Sequence, residues 1–557
     1  MANKEQFDVC VIGTGAGGGI MLQELTEAGF RAVALQRGPF LAAADFLGDD
    51  ELEVVIRDSL FSPDQVETWR PDESAAALTG RWMMTADCVG GTMTHWAAWS
   101  WRYLPDDFRV LSKEGSVAGA SLADWPYAYD DLAPFYEKAE RDFGVAGDAR
   151  ANPFGAPRKG DYPNPPHPPR SSSLAFARAA RKLGYTPFPV PMAINSREYG
   201  GRSVCMYGGA CQRYGCPVHA KATTYSVSIP RARATGKLDL RPETMAYEIT
   251  VGADGRARSV RYFDRDRKEH EVFARYVVVS GNAVGTPHLL LGSKSSRFPD
   301  GLANSSGLVG RNLTFHHFVP VAYITPEPTH HFTGLETHMA FDDLHASDPS
   351  RGFIRGGVAA EVNAACKQPL AYALMSHPGH PASRRGWGVA YKKYLRAFPR
   401  VGNLTAVLED LPMETNRIDL DPEVKDAYGL PAPRITHKQH TNDVAMHHWY
   451  RDRLMDVADA MGAVEKWYAD VPPFALDATP EGAMRGSLHF HGTCRMGADP
   501  DKSVVDPWCR AHDVPNLWIV DGSFMPTSGG YNPTLTILAN AYRVADHFVR
   551  SAKRQDV

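Results

Sequence analysis

Phe7-Asp-Val-Cys-Val-Ile12 runs directly into Gly13-Thr-Gly15-Ala-Gly-Gly18, and these residues decide the fold. The first six are mostly apolar and suit a strand buried in a parallel sheet. Ile20, Met21, Leu25 and Ala28 then recur at spacings near those of a helix, and Gly29 stands where a helix closes. Ala32-Val-Ala-Leu35 reads as the next strand. Strand, GxGxxG, helix and strand in this order form a dinucleotide-binding fingerprint. Gly13 permits the tight turn, Gly15 lets the backbone approach a pyrophosphate, and Gly18 lets helix and strand pack closely. The phosphate charge then meets the helix N-terminus. Gln36 ends the second strand, where an acidic residue usually holds ribose hydroxyls. Its carboxamide oxygen can still accept that hydrogen bond. Arg37 beside it leaves a phosphorylated ribose, and so NADP, open from this segment alone.

The chain has 557 residues, enough for two or three packed regions at about 100–200 residues each. Hydrophobic residues make up 43% and charged residues 22%, which permits a substantial core. A net charge of -4 and the lack of any basic run argue against nucleic-acid binding. No apolar stretch reaches the roughly 18 residues of a transmembrane helix. Met-Ala-Asn-Lys-Glu-Gln at the start has neither a basic region nor a long apolar one, so no secretory signal is expected here.

The last eighty residues carry His489-Phe-His491-Gly-Thr-Cys-Arg-Met-Gly497, then Asp521-Gly-Ser-Phe-Met-Pro-Thr, then Asn532-Pro-Thr-Leu-Thr. Leu517-Trp-Ile-Val520 reads as a buried strand. Leu535, Ile537, Leu538, Ala541 and Val544 fall on one face of a following helix. With the N-terminal fingerprint, these motifs resemble the glucose–methanol–choline (GMC) family of FAD-dependent oxidoreductases. Val89-Gly-Gly-Thr-Met-Thr-His95-Trp resembles the family's glycine-rich segment beside the isoalloxazine. Gly281-Asn-Ala-Val-Gly-Thr-Pro-His resembles its returning FAD-domain strand and helix, and Gly310-Arg-Asn-Leu-Thr-Phe-His-His its passage into the substrate domain. The chain is most similar in flavour to bacterial sugar dehydrogenase flavoprotein subunits, with pyranose oxidases a little further off. Both resemble it in having Asn at the position of Asn532.

The resemblance implies an α/β fold: a Rossmann-like FAD-binding domain from 1–110, 200–320 and 480–557. A second, α+β substrate-binding domain with connecting segments would take 111–199 and 321–479. It also implies oxidation of a sugar or glycoside hydroxyl, by proton abstraction and hydride transfer to flavin N5. His489 aligns with the base, and an imidazole titrating near pH 6.5 suits that task. Asn532 aligns with the residue that orients the same hydroxyl. Alternation leaves His489 and His491 on one side of an extended segment, so geometry alone does not separate them. Gly13, Gly15, Gly18, Gln36, Gly90, Gly91, Asp521 and Thr534 are the expected FAD contacts. His95 matches a histidine that carries the flavin covalently in some relatives and only neighbours it in others. Alternating residues in Asn403-Leu-Thr-Ala-Val-Leu408 predict a strand that roofs the flavin. The prolines of 150–170 predict an extended crossing.

Of the 8 cysteines, Cys10, Cys88, Cys366, Cys494 and Cys509 are scattered, while Cys205, Cys211 and Cys216 lie in one glycine-rich stretch. Pro217 follows the third, as it often follows ligands of ferredoxin-like sites. The resemblance implies an iron–sulfur cluster of the three-iron, 3Fe-4S type on these thiolates, although Gly208 stands where many relatives carry another cysteine. A zinc site completed by His219, a disulfide or a metal-free trio are the alternatives. With a cluster, electrons would pass to a partner: a small subunit and a cytochrome or quinone acceptor. Co-export with that partner would place the protein in the periplasm, and the cytoplasm is the other location. Without a cluster, an oxygen-using oxidase is the alternative function.

Overall fold

The computed structural model describes residues 6–46, 65–83, 85–208, 211, 215–362, 369–374, 380, 382, 386–468 and 489–554. Cys366 and the expected boundary at 480 lie outside them. The fold is α/β, with two main sheets.

The first sheet has seven strands. Leu238–Arg241, Ala32–Leu35, Gln6–Ile12 and Glu269–Val279 lie side by side in parallel, with Ala257–Phe263 and Met245–Val251 antiparallel beyond them. The first half of Glu269–Val279 pairs with Ala257–Phe263, and its last residues pair with Leu517–Ile519. Val9, Cys10, Val11, Ala32–Leu35 and Val277–Val279 are buried, as continuous apolar parallel strands must be. Helix Ala16–Glu27 follows the glycine turn, and Gly29 sits just past its end at φ +103°. Helix Thr534–Arg554 packs against it through Leu535, Leu538, Ala541, Val544 and Phe548.

The second sheet also has seven strands, all antiparallel. Its order is Glu465–Tyr468, Val321–Ile324, Val401–Leu408, Gly357–Val362, Thr337–Phe341 and Phe188–Pro189, with His317–Phe318 beside the far end of Val401–Leu408. Leu404, Ala406 and Leu408 face a core shared with helices Ser171–Lys182 and Thr441–Ala460. Alternation turns Asn403 and Thr405 the other way, toward the first sheet. Residues 151–170 hold no helix or strand longer than an isolated bridge.

Candidate active site

The carboxyl ends of three parallel strands meet at Ile12, Val279 and Ile519, where Ser280 N donates to Ile12 O and Val520 N to Val279 O. Ligands of open α/β sheets bind outside such ends. Here they open on a cavity of about 1030 Å³, which reaches across to Phe318, Asn403 and Thr405 of the second sheet.

At the end near the first sheet the walls are backbone. Gly13 has φ +89°, and a Cβ on it would come 2.2 Å from Ser280 O. A Cβ on Gly18 would come 2.0 Å from Gly13 O, so helix and strand touch as the motif requires. Gly15 caps the helix and has no atom within 4 Å of where its Cβ would be. That open space beside a helix N-terminus, on the cavity wall, fits a pyrophosphate. Gly90 and Gly91, both at positive φ, start the turn Gly91–His95, and Gly90 N donates to Thr14 Oγ1 at 2.9 Å. Gly91 and His95 line the cavity, while Gly18 and Gly90 support its wall from behind.

Gln36 lines the cavity with an altered role. Its Oε1 accepts from Thr14 N at 3.0 Å and from Thr14 Oγ1 at 2.7 Å. The oxygen expected to meet a ribose hydroxyl is thus engaged inside the protein, and only Nε2 is left for a cavity ligand. Arg37 pairs with Asp87 at 2.6 Å, so its charge is already matched without an extra phosphate. Asp521 lines the cavity, and its carboxylate accepts from Thr286 Oγ1 and from Ser523 N and Oγ. Burial pushes its pKa up while those bonds pull it down. Thr534 opens the C-terminal helix at the cavity wall.

His95 is buried, with Nε2 3.6 Å from Cys88 Sγ and no hydrogen-bond partner for Nδ1. Burial, then Lys221, bring its pKa down to about 3, so it is a neutral ring at the cavity. A buried orphan nitrogen there fits contact with a ligand.

The other end is built from side chains far apart in sequence. Thr314–Phe315 pairs antiparallel with Phe490–His491. One further step of that register sets His316 opposite His489, and their Nδ1 atoms are 2.9 Å apart. His316 Nε2 lies 2.9 Å from Ser528 O, a carbonyl that can only accept. His316 therefore carries its proton on Nε2, its Nδ1 accepts, and His489 must donate from Nδ1. His489 Nε2 is then the acceptor on the cavity side, and Asn532 Nδ2 donates to it at 3.2 Å. Asn532 is itself fixed, because the Trp101 indole can only donate and does so to its Oδ1 at 3.0 Å. His489 and Asn532 thus meet at the cavity. Burial, then His316, hold the His489 pKa well below the ordinary histidine value. His491 lies on the same face, 4.8 Å between ring centroids from His316, but is fully buried and does not line the cavity.

Sequence reasoning missed His316, Trp101 and Ser528. Only the doubled histidine at 316–317, already inside a quoted motif, signalled the first.

Cys205, Cys211 and Cys216 are half-buried; residues 209, 210 and 212–214 between them lie outside the described residues. Tyr207 N donates to Cys205 Sγ at 3.3 Å. The buried Lys221 ammonium bonds both Cys211 O and Trp96 O, tying this loop to the cavity wall. His219 packs by Tyr225, and among the described residues it forms no compact ligand set with the thiols such as tetrahedral zinc requires.

Family models described as GMC oxidoreductase match residues 118–318 and 412–541. The chain belongs to the GMC oxidoreductase family. It is 34% identical to 2-methyl-1,2-propanediol dehydrogenase of Mycolicibacterium austroafricanum, over 98% of this chain and 96% of that one. It is 32% identical to the fructose dehydrogenase large subunit of Gluconobacter japonicus, over 84% and 81%. Among solved structures, pyridoxine 4-oxidase of Mesorbium loti shares the fold, with a TM-score of 0.65 at 18% identity over 98% of this chain and 99% of that one. The protein is an oxidoreductase of alcohol or sugar hydroxyls, and FAD is the cofactor that family and cavity support. No helix among the described residues is long and apolar enough to cross a membrane.

Proposed function

We propose that the protein oxidises a hydroxyl-bearing carbon of a sugar or glycoside and passes the electrons to a partner. The observation that carries this reading is His489 Nε2, an acceptor held at the cavity beside the Asn532 amide. His489 Nε2 takes the hydroxyl proton as Asn532 Nδ2 donates to the same oxygen and fixes its position. Bound FAD supplies the hydride acceptor. Gly13, Gly15 and the N-terminus of helix Ala16–Glu27 would hold its pyrophosphate, and Gly91, His95 and Thr534 line the same cavity. Asn403 and Thr405 offer polar groups to further substrate hydroxyls, while Phe318 and Trp99 supply apolar walls. A polyhydroxy substrate suits that mixture.

For electron exit we propose a three-iron cluster on Cys205, Cys211 and Cys216. Three half-buried cysteines in one loop, an N–H donated to a sulfur and a buried lysine linking that loop to the cavity wall support it. The relative described as a large subunit supports a smaller partner subunit; with it we propose a cytochrome or quinone acceptor and co-export to the periplasm. An absorption spectrum with an iron assay tests this. A flavin spectrum with a broad brown shoulder and about three irons per chain is expected. A clean yellow flavin without iron contradicts the cluster and favours an oxygen-using oxidase.

A further inference from the structure

A proton taken from a hydroxyl makes a cation, and His489 sits where burial opposes one. The ring behind it is better placed. His316 Nδ1 already accepts the His489 Nδ1 proton at 2.9 Å, and His316 Nε2 already donates to Ser528 O, which the Tyr103 hydroxyl also bonds.

Beyond that carbonyl lies a carboxylate. Ser528 Oγ exchanges hydrogen bonds with the backbone N and O of Asp410. The Asp410 carboxylate accepts from His317 Nε2 and His437 Nε2, both at 3.0 Å, and from Phe315 N at 2.8 Å. Those donors hold it ionised, well below the usual carboxylate range despite burial. His317 accepts from Gln439 Nε2 at its other nitrogen. Burial and Asp410 push the Asp443 carboxyl well above the usual carboxylate range. The Asp410 carboxylate therefore lies as a negative charge behind His316.

We infer that His316 is a positioning residue that receives the abstracted proton's charge, so that the dyad ends as neutral His489 and cationic His316. This rests on His489 being the base. The hydroxyl O–H bond breaks and a bond to His489 Nε2 forms, while the His489 Nδ1 proton moves to His316 Nδ1. No electron leaves either ring. His489 then carries hydrogen on Nε2 alone, and His316 on both nitrogens. The two transfers reverse to release the proton through the cavity. The groups that face His316 are His489, His491, His317, Asp410 and Asp107, together with Ser528 O. Burial lowers its pKa to about 4 and His317 adds to that, while Ser528 O, Asp410 and Asp107 each favour its charged form; at His489, burial and then His316 oppose a charge.

Neutron diffraction of the FAD-loaded protein at acid pD reads the proton directly. Deuterium on both nitrogens of His316 and only on Nε2 of His489 is expected. Deuterium on both nitrogens of His489, with His316 Nδ1 bare, overturns the inference. His316→Gln adds a kinetic test, because its amide oxygen can still accept from His489 Nδ1 but cannot take the proton. Anaerobic flavin reduction should slow about 10- to 100-fold with FAD content unchanged. A wild-type rate in this variant, with His489→Gln inactive, overturns the relay alone. Reduction at the wild-type rate by His489→Gln overturns the base reading and the relay with it.

Discussion

At one end of the cavity, Gly13, Gly15 and Gly18 lie within a single turn of chain, and what they do is mostly a matter of backbone. At the other end, Trp101, His316, His489, Ser528 and Asn532 come from segments up to 431 residues apart and act through side-chain hydrogen bonds. At the first end Gly13 and Gly18 leave no room for an added atom, while the second depends on which nitrogen holds a proton. Binding and chemistry should therefore fail separately when each end is altered.

The largest effect is expected at the glycine end. Gly18→Val forces carbon atoms into the carbonyl of Gly13, already 2.0 Å from a Cβ there. The purified variant should lack FAD and unfold at a lower temperature, as flavin absorbance and a thermal melt would report. Full flavin content in that variant would mean the close helix–strand contact is not needed for binding. A smaller change is expected at the other end. Trp101→Phe keeps the ring packed against Phe188 and Tyr531 but removes the donor that orients Asn532. Flavin should stay bound while the rate of reduction drops about 5- to 10-fold, the worth of one hydrogen bond. If FAD were lost instead, the two ends would not be separable. The smallest effect is a flat one. Burial lowers the pKa values of both His489 and His316, so the base stays unprotonated through the neutral range. The pH profile of anaerobic reduction should show no loss of rate between about pH 8 and pH 6, although an ordinary histidine titrates near 6.5. A fall centred near that value would show that the base is solvated.

The same contrast explains what was legible in the sequence. The glycine fingerprint and the strand 401–408 were readable because spacing alone carries them. Gln36 was read as an acceptor for ribose, but its oxygen is taken by Thr14, a contact that no periodicity reports. His489 and His491 could not be separated by alternation, because both do lie on one face. What separates them is the depth of the wall around each. His316 went unassigned because its role depends on pairing with a segment 173 residues away. The motif of three cysteines was visible, but what those thiols hold is a matter of composition that spacing does not decide.

The central claim is that His489 removes the hydroxyl proton in an FAD site that does not need it for binding. Anaerobic mixing of FAD-loaded wild type and His489→Gln with a panel of sugars, glycosides and 2-methyl-1,2-propanediol tests it most directly. The account predicts that at least one polyhydroxy substrate bleaches the wild-type flavin, and that the variant keeps its flavin but is reduced more than about 100-fold more slowly. Equal bleaching of both proteins would contradict it.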